Sequence, residues 1–271
     1  MTPQELFELA LSYYNGTYNI PQDYLKAYDL FLEAAEAGHI ESQSYLGRML
    51  SMGEGVEKNY DEAVKWLKFA AEAGDADAQN RLGVRYQFGQ GLEQNYSEAV
   101  RWFKLAAMQG FSKAQSNLVS IYLNSLNGEY DIQDFSELEK WLRISAEEGN
   151  PVSQFNLALL YDNGEIVEQN LEEAFKWYKI AAEHGETNSQ YQLGYMYSYG
   201  HGVKVDHEMA LKWFLKAYEG GDEEAAYSIG WKYEHGEGVE QDHTEAIKWY
   251  KIVADYGDTE AQLHIALKYN N

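Results

Sequence analysis

The chain carries seven histidines, 44 acidic side chains and no cysteine, so imidazole and carboxylate are the groups that could do chemistry. The lack of thiols excludes a thiolate nucleophile, a disulfide framework and a Cys-ligated zinc. The histidines are His39, His184, His201, His207, His235, His243 and His264. His207 and His243 stand 36 residues apart, each directly after an aspartate, where tyrosine stands earlier (Tyr24, Tyr60, Tyr96). That interval is a repeat period and not a metal-ligand spacing, and neither a metal nor another cofactor is expected. Carboxylates are too frequent for any two to stand out as an acid–base couple. Glu172-Glu173 and Glu223-Glu224 read as solvated helix starts, favoured by the dipole. No serine elbow, nucleotide loop or His-Glu helix motif occurs. No catalytic residue is assigned, and the chain reads as a binding protein rather than an enzyme.

Charge narrows the partner. The net charge is −23, from 44 acidic against 21 basic residues. Nucleic acid and anionic membrane surfaces are disfavoured, because both demand Lys and Arg. The acidity serves solubility alone, or it also attracts a basic protein or peptide. No apolar run reaches membrane-spanning length. The first residues lack a basic segment and read as a helix opened by Thr2-Pro3-Gln4-Glu5, not as a leader. A cytoplasmic protein is expected.

The elements that position these residues repeat. Trp66, Trp102, Trp141, Trp177, Trp213 and Trp249 are spaced 36, 39, 36, 36 and 36 apart, with Leu30 in the same slot of the first unit. Eight residues after each slot stands a glycine: Gly38, Gly74, Gly110, Gly149, Gly185, Gly221 and Gly257. Seven residues before it stands Asp23, Asn59, Asn95, Asp134, Asn170, Asp206 or Asp242. The acid or amide predicts an N-cap and the glycine a left-handed C-terminal stop, with one amphipathic helix, B, between them. Glu62, Glu98, Glu137, Glu173 and Glu245 follow three residues after their caps, at capping-box spacing. The tryptophans read as core, not as a ligand site. The preceding helix, A, recurs as Ala78, Gln79, Leu82, Gly83, Tyr86 and as Ser189, Gln190, Leu193, Gly194, Tyr197. A mid-helix glycine costs about 1 kcal/mol against alanine. Its return at Gly47, Gly83, Gly194 and Gly230 predicts close approach of helix B. The Gly-x-Gly after helix A, as at Gly89 and Gly91, reads as a tight turn and not a phosphate loop, since no strand precedes it.

These residues resemble the Sel-1-like repeat family, a branch of the tetratricopeptide-like helical repeats. The run Ala225, Ile229, Gly230, Tyr233, Gly236, Gly238, Val239, Asp242, Ala246, Trp249, Ala254 and Gly257 carries the family pattern. The resemblance implies an all-α, right-handed α/α superhelical solenoid of about seven helix-turn-helix repeats and a terminal helix. It spans one domain, 1–271, with units near 4–38, 39–74, 75–110, 111–149, 150–185, 186–221 and 222–257, then a helix over 259–271. The fourth unit departs from the pattern. It lacks Gly-x-Gly, gains three residues within Asn124 to Phe135, and places Val119 in the glycine slot and Leu138 in an alanine slot. Its segment Asn124 to Tyr130 reads as a longer loop. The disulfide-linked subgroup of the family does not apply to a chain without cysteine.

By the same resemblance, A helices line a concave surface. The stripe opposite the core positions of helix A changes along the chain. Early units supply Ser44, Arg48, Met52, Asn80, Val84, Phe88, Ser116, Ser120 and Asn124. Later units supply Phe155, Leu159, Asn163, then Tyr191, Tyr195, Tyr199, then Tyr227, Trp231, His235. Large aromatics are favoured at binding hot spots. Phe155, Leu159, Tyr191, Tyr195, Tyr199, Tyr227, Trp231 and His235 are therefore candidates for a partner groove, rimmed by Glu224, Glu234 and Glu237. The alternative is packing between helices. The expected function is an adaptor or scaffold for a protein or peptide. An inhibitor of a basic toxin or enzyme is the second reading, and an enzyme of unassigned type the third.

Overall fold

A computed structural model describes residues 1–17, 19–132 and 134–255. It contains fourteen helices and no strand among the described residues. They alternate as A and B. The A helices are α1 (Pro3–Asn15), α3 (Ile40–Met52), α5 (Ala76–Phe88), α7 (Ser112–Leu126), α9 (Pro151–Asn163), α11 (Thr187–Tyr199) and α13 (Ala225–His235). The B helices are α2 (Tyr24–Glu36), α4 (Tyr60–Glu72), α6 (Tyr96–Ala107), α8 (Leu138–Glu147), α10 (Leu171–Glu183), α12 (His207–Glu219) and α14 (His243–Asp255). They form two compact units, Met1–Phe135 and Ser136–Asn271, and the boundary falls in the fourth pair, between α7 and α8. The helix expected over 259–271, and Gly257, lie outside the described residues.

The caps explain why each helix starts and stops where it does. Asp23, Asn59, Asn95, Asn170 and Asp206 accept a backbone N–H three residues on, and Asp242 accepts those of Thr244 and Glu245. The expected capping box forms only halfway at Glu62, Glu98 and Glu173, whose amides bond to the cap. The reciprocal pair is made at Thr2 and Glu5. Glu98, Glu173 and Glu245 bond instead to Arg101, Lys176 and Lys248, one helical turn away, where a cation competes better for a carboxylate than a backbone amide does. At the other end, Gly38 takes φ +89° while its N–H and that of His39 close onto Ala35 and Ala34, a Schellman stop.

The recurrent glutamines join consecutive elements. Gln79, Gln154 and Gln190 donate from Nε2 to the carbonyls of Ala71, Ala146 and Ala182, near the ends of the preceding B helices. Gln94, Gln169 and Gln241 donate to Gln87, Asp162 and Glu234 at the ends of the A helices. These helix ends thus find a side-chain donor for a free carbonyl.

Packing follows the glycines and tryptophans. A Cβ at Gly194 would stand 2.6 Å from the Phe214 ring, and one at Gly83 2.7 Å from Phe103. Only hydrogen there lets each B helix lie against its A helix. The second glycine of Gly-x-Gly has a role beyond the turn expected of it. A Cβ at Gly91 would run into the backbone of Tyr60, the first residue of the preceding B helix, so the turn also closes one repeat on the last. Trp102, Trp141, Trp177 and Trp213 are buried, while Trp66 and Trp249 are half-buried. Arg101, Lys140, Lys176 and Lys216 lie 4.4–5.6 Å from the ring centres of the four buried tryptophans.

The fourth pair departs from expectation. α8 starts at Leu138, four residues after Asp134, and its N-cap position is Glu137, whose own side chain makes no cap bond. α8 is therefore about one turn shorter than the other B helices. The expected loop over Asn124 to Tyr130 begins late, because α7 runs on to Leu126. Ser125 stands where Gly53 and Gly89 end their helices. Chain reversal waits for Gly128, at φ +79°. The loop then stacks Tyr130 on Tyr96, with ring centres 4.2 Å apart, where regular repeats place a glycine against backbone.

Candidate peptide-binding face

Three layers of the aromatic stripe meet different fates in the second unit. The first layer packs inward. Phe155 lies 5.9 Å from Tyr178, Tyr191 5.5 Å from Phe214, and Tyr227 5.2 Å from Tyr250, ring centre to ring centre. Each is half-buried against the B helix of its own pair. The second layer holds Leu159, half-buried, with Tyr195 40% and Trp231 39% exposed. The third is open: Tyr199 is 62% exposed, and Asn163 and His235 are exposed. Tyr195, Tyr199 and His201 cluster with ring centres 4.6–6.1 Å apart. Trp231 stacks on His235 at 4.0 Å. The structure thus gathers Tyr195 with Tyr199 and Trp231 with His235, and turns Phe155, Tyr191 and Tyr227 partly into the core.

In the first unit the stripe is more polar. Ser44 is buried and donates to Asp75 at 2.8 Å, and Asn80 accepts from Asn117 at 2.8 Å. The third layer nonetheless exposes Met52 and Phe88.

Of the acids expected at the rim, Glu224 is exposed, Glu237 is half-exposed and Glu234 is buried. Glu234 accepts the Tyr250 hydroxyl at 2.7 Å. Lys232, 3% exposed, occupies the helix-A slot that holds Met49 and Met196 elsewhere. Its ammonium donates to Glu237 at 2.7 Å and to His207 Nδ1 at 3.2 Å. The hydrogen bond from Lys232, more than its charge, holds the Glu237 carboxyl below the ordinary range. A second network joins Tyr161, Glu139 and Arg143. Tyr161 donates to Glu139 at 2.5 Å, and Arg143 donates to Glu139 at 3.0 Å. The Tyr161 bond, then Arg143, lowers the Glu139 pKa, while burial and that same bond push Tyr161 up to about 12. Among the described residues no group of three His, Asp or Glu is arranged to hold a metal ion. No helix among them is long and apolar enough to cross a membrane.

A cavity of about 660 Å³ opens beside the first layer of the second unit. Phe155, Tyr191 and Gln192 form one wall, and Asp222, Glu223 and Glu224, in the turn before α13, form the other. Asp222 is held by the amides of Glu224 and Ala225. Burial, with the charges of Asp222 and Glu224, raises the Tyr191 pKa, and a hydrogen bond with Ser228 works against them. The sequence pattern placed Glu224 at the rim, but within one repeat it gave no sign that Asp222 and Glu223 join it in one wall, because Glu223-Glu224 also resembles a solvated helix start. The signal was available in the comparison of equivalent slots across repeats.

The Sel1 repeat model matches residues 6–39, 40–75, 76–111, 151–186, 187–222 and 223–258. The chain belongs to the Sel1 repeat family. The six matches follow the helix pairs, and the stretch they skip holds the irregular fourth pair. Among solved structures, a protective antigen of uropathogenic Escherichia coli strains with this repeat fold is 32% identical, at a TM-score of 0.73. The alignment covers 99% of this chain and 57% of that one, so the chain spans little more than half the antigen's length. A Sel1 repeat protein from Oxalobacter formigenes is 27% identical over 91% of this chain and 96% of that one, at a TM-score of 0.59. An immunity protein from Pseudomonas aeruginosa is 14% identical over 80% of this chain and 81% of its own, at a TM-score of 0.39, which carries no functional argument. No curated protein matches the chain. Sel1 repeats generally serve protein–protein interaction and are typically non-catalytic scaffolds.

Proposed function

We propose that this Sel1 repeat protein is an adaptor that holds a peptide or protein segment against the A helices of its second unit. The observation that supports the reading is the exposure of Tyr195, Tyr199 and Trp231 on consecutive A helices. Their first-layer neighbours are packed inward, so the exposure is selective along one stripe. Aromatics bury large areas at low entropic cost, which is why they dominate binding hot spots.

The test selects binders from a random peptide library against the full chain, then measures them on Tyr199→Ala and Trp231→Ala. Both variants are expected to keep the parent melting temperature within a few degrees. Selected peptides should lose about tenfold or more in affinity, as hot-spot truncation does. Peptides that bind both variants as they bind the parent would remove the aromatic stripe from consideration. The second reading, an inhibitor of a basic enzyme, draws on the net charge of −23. It requires an association rate that falls steeply with salt.

A further inference from the structure

The acid-walled cavity of the second unit has an equivalent in the first, and the difference between them is informative. Shifting by 111 residues carries Ser44, Arg81, Phe111, Ser112 and Lys113 onto Phe155, Gln192, Asp222, Glu223 and Glu224. Both sets line a cavity, of about 550 Å³ in the first unit and about 660 Å³ in the second. The first is internally neutralised: Glu41, Asp75 and Asp77 share it with Arg48, Arg81 and Lys113. Arg81 is tied to Asp77 at 2.6 Å. The second has Asp222, Glu223 and Glu224 and no lysine or arginine in its lining. Among the described residues, no cation engages the side chains of Glu223 or Glu224. Where the first unit has Ser44 and Asn80, the second has the rings of Phe155 and Tyr191.

We infer that this cavity is an anchor for an arginine side chain of a bound peptide, which supplies the cation that Arg81 and Lys113 provide in the equivalent place. This rests on the peptide-scaffold reading and names the chemistry that the site selects. A guanidinium is planar and weakly hydrated, and it lies flat on an aromatic face while its N–H fork meets carboxylates. Phe155 and Tyr191 offer the faces, and Glu223 and Glu224 the carboxylates. An ammonium would meet the same charge but gain less from the rings. An acidic segment would be repelled.

The test titrates the isotopically labelled full chain with three acetylated, amidated pentapeptides, followed by nuclear magnetic resonance. The peptides are Leu-Ala-X-Ala-Leu with X arginine, citrulline or glutamate. Citrulline keeps the shape of arginine without its charge. The arginine peptide should shift the resonances of Gln192 and of the turn from Asp222 to Ala225. It should bind roughly tenfold tighter than the citrulline peptide at low salt, a margin expected of a close charge pair. The margin should shrink at high salt. Glu223→Gln with Glu224→Gln should abolish it without lowering the melting temperature, since both side chains are exposed. Gln192→Arg should abolish it too, by installing the cation that Arg81 supplies in the first unit. Equal affinity for arginine and citrulline, a margin that survives the double variant, shifts confined to the first unit, or no shift at all would each overturn the assignment. Trp231→Ala separates this claim from the stripe. The margin must survive that variant, and its loss there but not in the acid variant places the anchor elsewhere.

Discussion

Lys232 shows how much one side chain can depart from its repeat. Its slot holds methionine in α3 and α11, and the ammonium is buried and hydrogen-bonded, among the described residues, to Glu237 and His207. Replacing a buried ion pair by a hydrophobic group is often neutral or stabilising, whereas removing one partner leaves a charge unpaired. Lys232→Met leaves a Glu237 carboxylate that is 35% exposed and can return to water. Methionine already fits this slot in other repeats, so the variant should hold stability within about 1 kcal/mol or raise it. Glu237→Ala should cost more, roughly 1–3 kcal/mol. Urea midpoints for the two variants check the order, and a larger loss in Lys232→Met would contradict it. Glu139 supports a prediction in pH. Its folded pKa lies below its ordinary 4.5, so its stabilisation is present above that value and fades as pH falls through the folded pKa. Tyr161 has the opposite sign. Its pKa is raised from 10.0 to about 12, so its contribution holds below 10 and is lost as pH rises through about 12. The stability advantage of the parent over Glu139→Gln should be flat near neutrality and vanish in acid. Equal stability of the two proteins at neutral pH would show that the network contributes nothing.

At the level of the element, the caps and stops carry the repeat. Asn95 accepts the Glu98 amide at 2.9 Å, and Asn95→Ala should cost about 1 kcal/mol. Hydrogen exchange at the first-turn amides of α6 should speed up accordingly. Asp134 holds the same place in the sequence pattern, but α8 begins at Leu138, three residues later than its counterparts begin after theirs. The contrast shows what a periodic pattern can promise. Six of the cap residues act where the pattern puts them, because capping needs only three residues of local geometry. α8 starts late although Asp134 keeps the regular seven-residue distance to Trp141, so the pattern fixes the place of the cap residue and not the first helical turn.

The whole molecule is strongly acidic, at −23. Many of its cations serve locally, over tryptophan rings or beside a carboxylate one turn away. The remaining negative charge repels itself across the surface. Raising the salt concentration from about 20 to about 200 mM shortens the range of that repulsion. The melting temperature should rise by a few degrees, as calorimetry would show. A fall would mean that the short ion pairs outweigh the net charge. The family match has the same origin as this chemistry: each pair repeats the same caps, glutamines and glycines. The fourth pair, which lost several of them, is left unmatched and contains the boundary between the two units.

Composition and spacing alone determined the period, the helix ends outside the fourth pair, the burial of four of the six ladder tryptophans and the family, because each depends on contacts within one repeat or with its neighbour. A helical wheel could not separate Tyr191 from Tyr195, which differ by only about 40° on α11. That separation belongs to Phe214, which fills the space facing Tyr191 and leaves Tyr195 in solvent. The acid-walled cavity is likewise a product of tertiary structure. Its walls come from α9, α11 and the turn before α13, and its charge is left uncompensated because Gln192 and Glu224 stand where the first unit places Arg81 and Lys113.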